Sequence, residues 1–373
     1  MSETAVRAGL EGVVAAATRL SSVDGQAGEL IIAGFPVEDF ADRATFEETL
    51  YLLWHDALPN ADQLAQFRRA LAPHRHLAPI TLNIISAAAE RKADVMDMLR
   101  MATSTLTSDN HEQAALALVA QMPSMVAAYW RMLQGQAAVA PRPDLGHTGN
   151  YLWMLSGTEP SPEQVRALET YLNTVVDHGL NASTFTARVI ISTQSDLVSA
   201  VVGAIGALKG PLHGGAPGPA LDMVFEIGAA ERAEAVLRAK LERGERLMGF
   251  GHRVYKVRDP RAEVLARAAK RLFDHAGDRS LYELVMQVER TAVALLAEYK
   301  PGRNLQTNVE FYTALLLHGL GLPNELFTPT FTVSRVGGWI AHCFEQQALG
   351  RIIRPQSVYT GIRDRAWVPL AER

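Results

Sequence analysis

From Phe46 onward, apolar residues recur at helical spacing, and this constrains the chain most. Phe46, Leu50, Leu53 and Trp54 fall on one face of a helix over residues 46–58. Further helical runs are predicted at 60–74, 79–90, 94–107 and 111–135, before a Pro- and Gly-containing break, AAVAPRPDLGHTGN, at 137–150. Ser161-Pro162-Glu163-Gln164 reads as a helix start. A serine can cap, proline fits the first helical position, and glutamine closes a capping box. Val165, Leu168, Leu172, Val175 and Val176 then form one apolar face that leads to His178. A helix rich in Ala, Gly, Ser and Val is expected over 183–209, with others at 218–243, 260–276, 279–299, 309–320 and 331–349. Only GELIIAGF (28–35), after Asp24-Gly25, reads as a strand or hairpin. The fold class is all-α with a minor N-terminal β element.

Composition narrows the function classes. Net charge is −4 and the pI about 6.3, which argues against a general nucleic-acid binder. No apolar run approaches the ~20 residues that span a bilayer, and MSETAVRAGLEG has no basic segment leading into an apolar one. The single cysteine, Cys343, excludes a disulfide framework and a multi-cysteine zinc site. A cytoplasmic protein is the expectation.

Four segments combine rigid turns with groups that handle a proton or an anion. In GPLHGGA (210–216), a Gly-Pro break is followed by His213 and a glycine pair. In GFGHRVYKVRDPRA (249–262), His252 follows a Gly-aromatic-Gly turn, and Asp259-Pro260 reads as a helix cap and first position. That puts Arg261 in the first helical turn, where its charge and the helix N-terminus both attract a carboxylate. KPGRNLQTNVEFY (300–312) ends in Asn308 and Glu310, and Ser334-Arg335 is followed by Arg354-Pro355. Taken singly, each has a plain reading: histidines as core hydrogen-bonding groups, Glu310 as a helix-start acid, Arg335 and Arg354 as ion-pair partners. His318, His342, Cys343, Trp54 and Trp339 read as core or interface residues. Three histidines and a carboxylate suggest a metal, but no compact ligand pair such as H-E-x-x-H occurs and the arginines would repel a cation, so none is expected.

In this order and at this spacing, the four segments resemble the citrate synthase family. GLEGV near the N-terminus, FEETLYLLWH (46–55) and DHGLNASTFTAR (177–188) extend the resemblance nearly end to end. Length and wording are similar to the shorter, dimeric bacterial and archaeal branch. The Gly- and Pro-rich stretches 210–218 and 319–323 are the hinge candidates, and as hinges they would set an inserted smaller helical domain (215–321) apart from a large one (1–214 and 322–373). The resemblance implies condensation of acetyl-CoA with oxaloacetate and hydrolysis of the citryl-CoA formed, without a further cofactor. Glu310 would take the methyl proton, His213 would hydrogen-bond the thioester oxygen, and His252 would polarise and protonate the ketone. His178, Arg261 and Arg335 would bind oxaloacetate, while Arg354 would reach the active site of a second subunit in a homodimer. Coenzyme A would contact Leu212, Gly214 and Gly215, with Lys256, Arg258, Lys300, Arg303 and Asn308 as further candidates. One position departs. The family's base is normally the aspartate of N-V-D, and Glu310 sets its carboxylate roughly 1.5 Å further out, a displacement that costs about a hundredfold when uncompensated. Two alternatives stay open: a 2-methylcitrate synthase using propionyl-CoA, and a catalytically impaired relative that binds CoA or dicarboxylates for regulation.

Overall fold

The computed structural model describes residues 6–373 apart from 109, 215, 216 and 253. It is an all-α protein: sixteen α-helices are assigned among the described residues, beside one small sheet. Strands Ser21–Asp24, Glu29–Ile32 and Phe35–Pro36 form an antiparallel meander, with Leu30 and Ile32 fully buried on its inner side. No helix among the described residues is long and apolar enough to cross a membrane.

Local chemistry sets many helix starts. Thr45 and Glu48 form a reciprocal capping box ahead of Phe46–His55, and Ser161 and Gln164 form another ahead of Pro162–Val175. The buried faces follow the apolar period: Phe46, Leu50 and Leu53 are fully buried, and Trp54 donates its indole N–H to the Gly337 carbonyl at 3.1 Å.

The Phe327–Leu349 helix crosses the interior and packs on Phe46–His55, His111–Leu133, Pro162–Val175 and Ala182–Ile191. Two glycines permit this. A Cβ on Gly337 would stand 2.2 Å from the Leu50 side chain, and one on Gly338 would stand 2.2 Å from the Val176 carbonyl oxygen. This close crossing sets Arg335 against the end of Pro162–Val175, where the His178 turn begins.

Three segments differ from expectation. The helix expected over 183–209 is two, Ala182–Ile191 and Leu197–Leu208. Gln194 turns the chain at φ 65°, and Asp196 restarts it by accepting the Ser199 amide at 2.8 Å. The small residues serve this hairpin, since a Cβ on Gly203 would lie 2.3 Å from Ile190. The run over 218–243 is likewise split into Pro217–Ile227 and Ala233–Glu242, with Gly228 at φ 69° between them. The break at 137–150 runs into a helix, His147–Ser156, whose cap Gly146 has no side chain to offer. Its first amide is satisfied instead by Glu47, a buried residue of another helix, at 2.8 Å.

The helices Pro217–Ile227, Ala233–Glu242, Pro260–Ala276, Ser280–Tyr299 and Val309–Gly319 pack largely on one another. Pro260–Ala276 also lies against Pro162–Val175. The cleft described next lies where the Pro260–Ala276 and Val309–Gly319 helices begin, opposite the 177–181 turn. Beyond Gly350 the chain is exposed and extended as far as a short 3₁₀ turn at Leu370–Glu372.

Candidate active site

The 177–181 turn is held from below. Asp177 is completely buried; its carboxylate accepts a hydrogen bond from Ser21 Oγ and another from His342 Nε2 at 3.1 Å. Ser21 Oγ in turn accepts the Gly179 amide at 2.8 Å. These bonds fix the backbone on both sides of His178, so the imidazole faces the cleft rather than solvent.

At the next helix start, Asn181 caps by accepting the Thr184 amide. The adjacent Ser183 N–H points at His213 Nε2 at 3.3 Å, and Ser183 Oγ lies 2.8 Å from the same nitrogen while accepting the Trp339 indole N–H at 3.0 Å. A ring nitrogen that accepts an amide N–H carries no proton, so the neutral His213 keeps its proton on Nδ1. Gly214 is required by contact: a Cβ there would lie 2.4 Å from the Leu208 carbonyl oxygen. Leu212 is fully exposed, and Gly215 lies outside the described residues.

Across the cleft, Asn308 joins two segments. Its side chain accepts the Glu310 amide at 3.0 Å and donates to the Gly251 carbonyl at 2.9 Å, while its own amide donates to the Gly249 carbonyl at 3.0 Å. Gly249 has φ 85° and no room for a side chain, because a Cβ would stand 2.8 Å from the Phe311 ring. The turn so held delivers His252. Its Nδ1 accepts the Val254 and Tyr255 amides at 3.0 and 3.2 Å, which leaves the ring proton on Nε2. That Nε2–H stands 3.5 Å from Arg261 Nη2. Two donors converging at that distance call for an acceptor between them.

The arginines differ. Asp259 caps Pro260–Ala276 as expected, with Pro260 in the first position. Its carboxylate also receives the Arg261 guanidinium at 3.0 and 2.8 Å, so the carboxylate that Arg261 meets in this structure is its own neighbour. Arg335 is 2% exposed and has no carboxylate at ion-pairing distance among the described residues. It donates from Nε to the Val175 carbonyl at 2.7 Å and lies 4.6 Å over the Phe331 ring. Burial pulls its pKa down to about 10.

Burial and these cations set the proton affinities of the rest. Burial first, then Arg335, pushes His213 down to about 4. Burial, then Arg261, does the same for His252. His178 is held well below the usual imidazole range by burial, Arg261 and Arg335. Glu310 is raised by burial and by Asp259, against the opposing pull of Arg261 and Arg246. Three neutral imidazoles and a carboxylate of raised basicity therefore share one cleft.

The cleft measures about 580 Å³. His178, His213, His252, Arg261, Asn308, Glu310 and Arg335 all line it, together with Leu212 and Gly214. Five sequence candidates do not. Lys256, Lys300 and Arg303 are exposed outside it, and Arg354 lies in the extended terminal segment. Arg258 pairs with the buried Glu289 at 2.8 Å. Arg246, Tyr171 and Phe331 line the cleft without having been singled out. For Arg246 the only signal was its place three residues ahead of the GFGH turn.

Comparison with known proteins places this geometry. The family model described as "Citrate synthase, C-terminal domain" matches residues 9–356. Citrate synthase 2 of Bacillus subtilis (strain 168) is 42% identical over 99% of this chain and 100% of its own length. The chain belongs to the citrate synthase family. A 2-methylcitrate synthase of Shewanella oneidensis is 37% identical over 98% of each chain. Among solved structures, a citrate synthase from Thermoplasma acidophilum, described as a ternary complex with carboxymethyl coenzyme A and oxaloacetate, aligns with a TM-score of 0.87 at 31% identity. It covers 98% of both chains. Members of the citrate synthase family are acyltransferases, and this chain is one such enzyme.

Proposed function

We propose that the cleft condenses the methyl carbon of acetyl-CoA with the ketone carbon of oxaloacetate and then hydrolyses the product to citrate and CoA. The observation that carries this reading is Arg335, a buried cation that feels Asp177 but has no carboxylate at ion-pairing distance among the described residues, facing the same cleft as Glu310 and His213. A site of that kind suits a small dianion.

Glu310, its basicity raised by burial, takes a methyl proton from the thioester. The Nδ1–H of neutral His213 donates to the thioester oxygen as negative charge grows there. The enol carbon then bonds to the oxaloacetate ketone carbon, and the Nε2–H of His252 protonates the ketone oxygen. Water cleaves the citryl thioester, releasing CoA thiol and citrate. Arg335, Arg261 and His178 bind the carboxylates and hydroxyl of oxaloacetate.

Coenzyme A lies along the 209–216 and 249–258 loops, where Leu212, Gly214 and Gly215 offer contacts and exposed Lys256, Lys300 and Arg303 meet its phosphates. Arg258 borders the same loop while paired with Glu289. Residues 215–321 form a lobe that closes over oxaloacetate on hinges at 210–218 and 319–323. The working form is a cytoplasmic homodimer of the tricarboxylic acid cycle, and the exposed terminal segment carries Arg354 to the second subunit's cleft.

A second reading, 2-methylcitrate synthesis from propionyl-CoA, is favoured by the 2-methylcitrate synthase among the relatives. One methylene changes discrimination by only ~1–3 kcal/mol. Free-thiol release from acetyl-CoA and propionyl-CoA, each with and without oxaloacetate, tests both. Oxaloacetate-dependent release favouring acetyl-CoA is expected; preference for propionyl-CoA selects the second reading. No release from either thioester overturns both and leaves a binding protein.

A further inference from the structure

We infer that Tyr255 is a positioning residue that joins the three oxaloacetate-binding groups into one rigid unit. The inference rests on the reading of this cleft as an oxaloacetate site. His178, His252 and Arg261 come from three separate places: the 177–181 turn, the 249–252 turn, and the first turn of Pro260–Ala276. Tyr255 touches all three. Its hydroxyl lies 3.1 Å from His178 Nε2, its amide donates to His252 Nδ1 at 3.2 Å, and its ring centroid stands 5.7 Å from the Arg261 guanidinium. The ring is also 5.0 Å from that of His252. Tyr255 is only 3% exposed and is not among the side chains that line the cleft. It therefore acts through its neighbours rather than on substrate.

The loop around it has little slack. The Lys256 amide donates to the Gly25 carbonyl at 2.8 Å, and the Lys256 carbonyl accepts from Asn304 Nδ2 at 2.7 Å. A Cβ on Gly25 would stand 2.2 Å from the Val254 carbonyl oxygen, and one on Gly28 would stand 2.6 Å from Val257. The N-terminal hairpin thus presses on both flanks of Tyr255. A phenol held this firmly fixes the direction of the His178 ring at little entropic cost on binding.

The two functions of Tyr255 separate by substitution. Tyr255→Phe keeps the amide that sets the His252 tautomer and keeps the ring beside Arg261, but loses the bond to His178. Oxaloacetate KM, and oxaloacetate Kd from calorimetry, should rise about tenfold, the usual size of one buried hydrogen bond. The KM for acyl-CoA and kcat should change by no more than about twofold. In a His178→Ala background, Tyr255→Phe should add nothing further, because its partner is gone. Tyr282→Phe, at a buried tyrosine outside the cleft lining, serves as the control.

Unchanged oxaloacetate KM and Kd in Tyr255→Phe overturns the inference. So does a parallel rise in both substrates' KM accompanied by a lower Tm, the signature of a merely structural tyrosine, and so does an undiminished Tyr255→Phe effect in the His178→Ala background. If the unaltered protein neither binds oxaloacetate nor releases thiol, the functional reading fails and this inference with it. Wild-type turnover beside an unaffected Tyr255→Phe defeats the inference alone.

Discussion

The cleft and the loops outside it are built on different principles. In the cleft, Arg335, Arg261, His178 and His252 are buried or nearly so, and each is held by a named bond to a carbonyl, a carboxylate, a hydroxyl or an amide. Outside the cleft lining, Lys256, Lys300 and Arg303 stand exposed on loops. Buried charges keep their full field and cannot relax, so the cleft is suited to recognise a small dianion in one orientation. Exposed charges are screened, and on the proposed reading they would meet the diphosphate and 3′-phosphate of coenzyme A.

The largest effect should come from the cleft. Glu310→Gln removes the base and should lower kcat by about a thousandfold, measured as oxaloacetate-dependent thiol release at saturating substrates. Near-normal turnover would falsify the assignment of Glu310. Next, Arg335→Gln should raise oxaloacetate KM by roughly a hundredfold, the loss expected for a buried charge-assisted contact of about 3 kcal/mol. A change below about fivefold would erase the contrast between the cleft and the loops.

Arg258 tests where the boundary lies. Its pairing with Glu289, which also accepts from Thr307 and Tyr312, makes it a structural cation. Arg258→Ala should cost about 1–2 kcal/mol in urea unfolding by leaving Glu289 short of a partner. If it instead raises acyl-CoA KM with unchanged stability, Arg258 belongs with the exposed loop cations.

pH separates the same two environments. His213 and His252 titrate at about 4 when folded and His147, buried under Phe46, at about 3, against 6.5 when unfolded. The unfolded chain therefore binds more protons through this window, and stability should fall as pH drops from about 6.5 towards 4. Thermal unfolding across that range checks it. Glu310, raised by burial, must be ionised to act, so the acid limb of kcat/KM should lie above the ordinary carboxylate range. The smallest effects belong to the loops outside the cleft. Lys300→Ala and Arg303→Ala should each raise acyl-CoA KM about two- to fivefold at low salt, and less at high salt.

What was legible in the chain was legible for local reasons. Capping boxes at Thr45 and Ser161, the Asp259-Pro260 start and the apolar face before His178 each depend on residues within a few positions of one another. The histidines, Arg261, Arg335 and Glu310 were marked by turns or motifs that a short window contains. Glu47 capping a helix a hundred residues away left no such mark, and neither did Glu289 engaging Arg258. The Ser192–Asp196 break did leave a local mark, the polar run STQSD with Asp196 placed to cap the next helix, but the small-residue helical runs on either side read as one, and the packing of Gly203 on Ile190 makes the hairpin plain.

The sequence by itself determined the all-α class, the family and the chemical types in the cleft, because periodicity, caps and motif order are properties of neighbours along the chain. Only the tertiary structure decided which groups are charged and which ring nitrogen of His213 and of His252 bears the proton. It also decided which arginine reached the cleft with no carboxylate at ion-pairing distance among the described residues and which one was already paired. Those outcomes depend on burial and on donors brought from distant segments, such as the Ser183 amide at His213 and the Tyr255 hydroxyl at His178. A proton's position answers to distance in space, which the linear order does not contain.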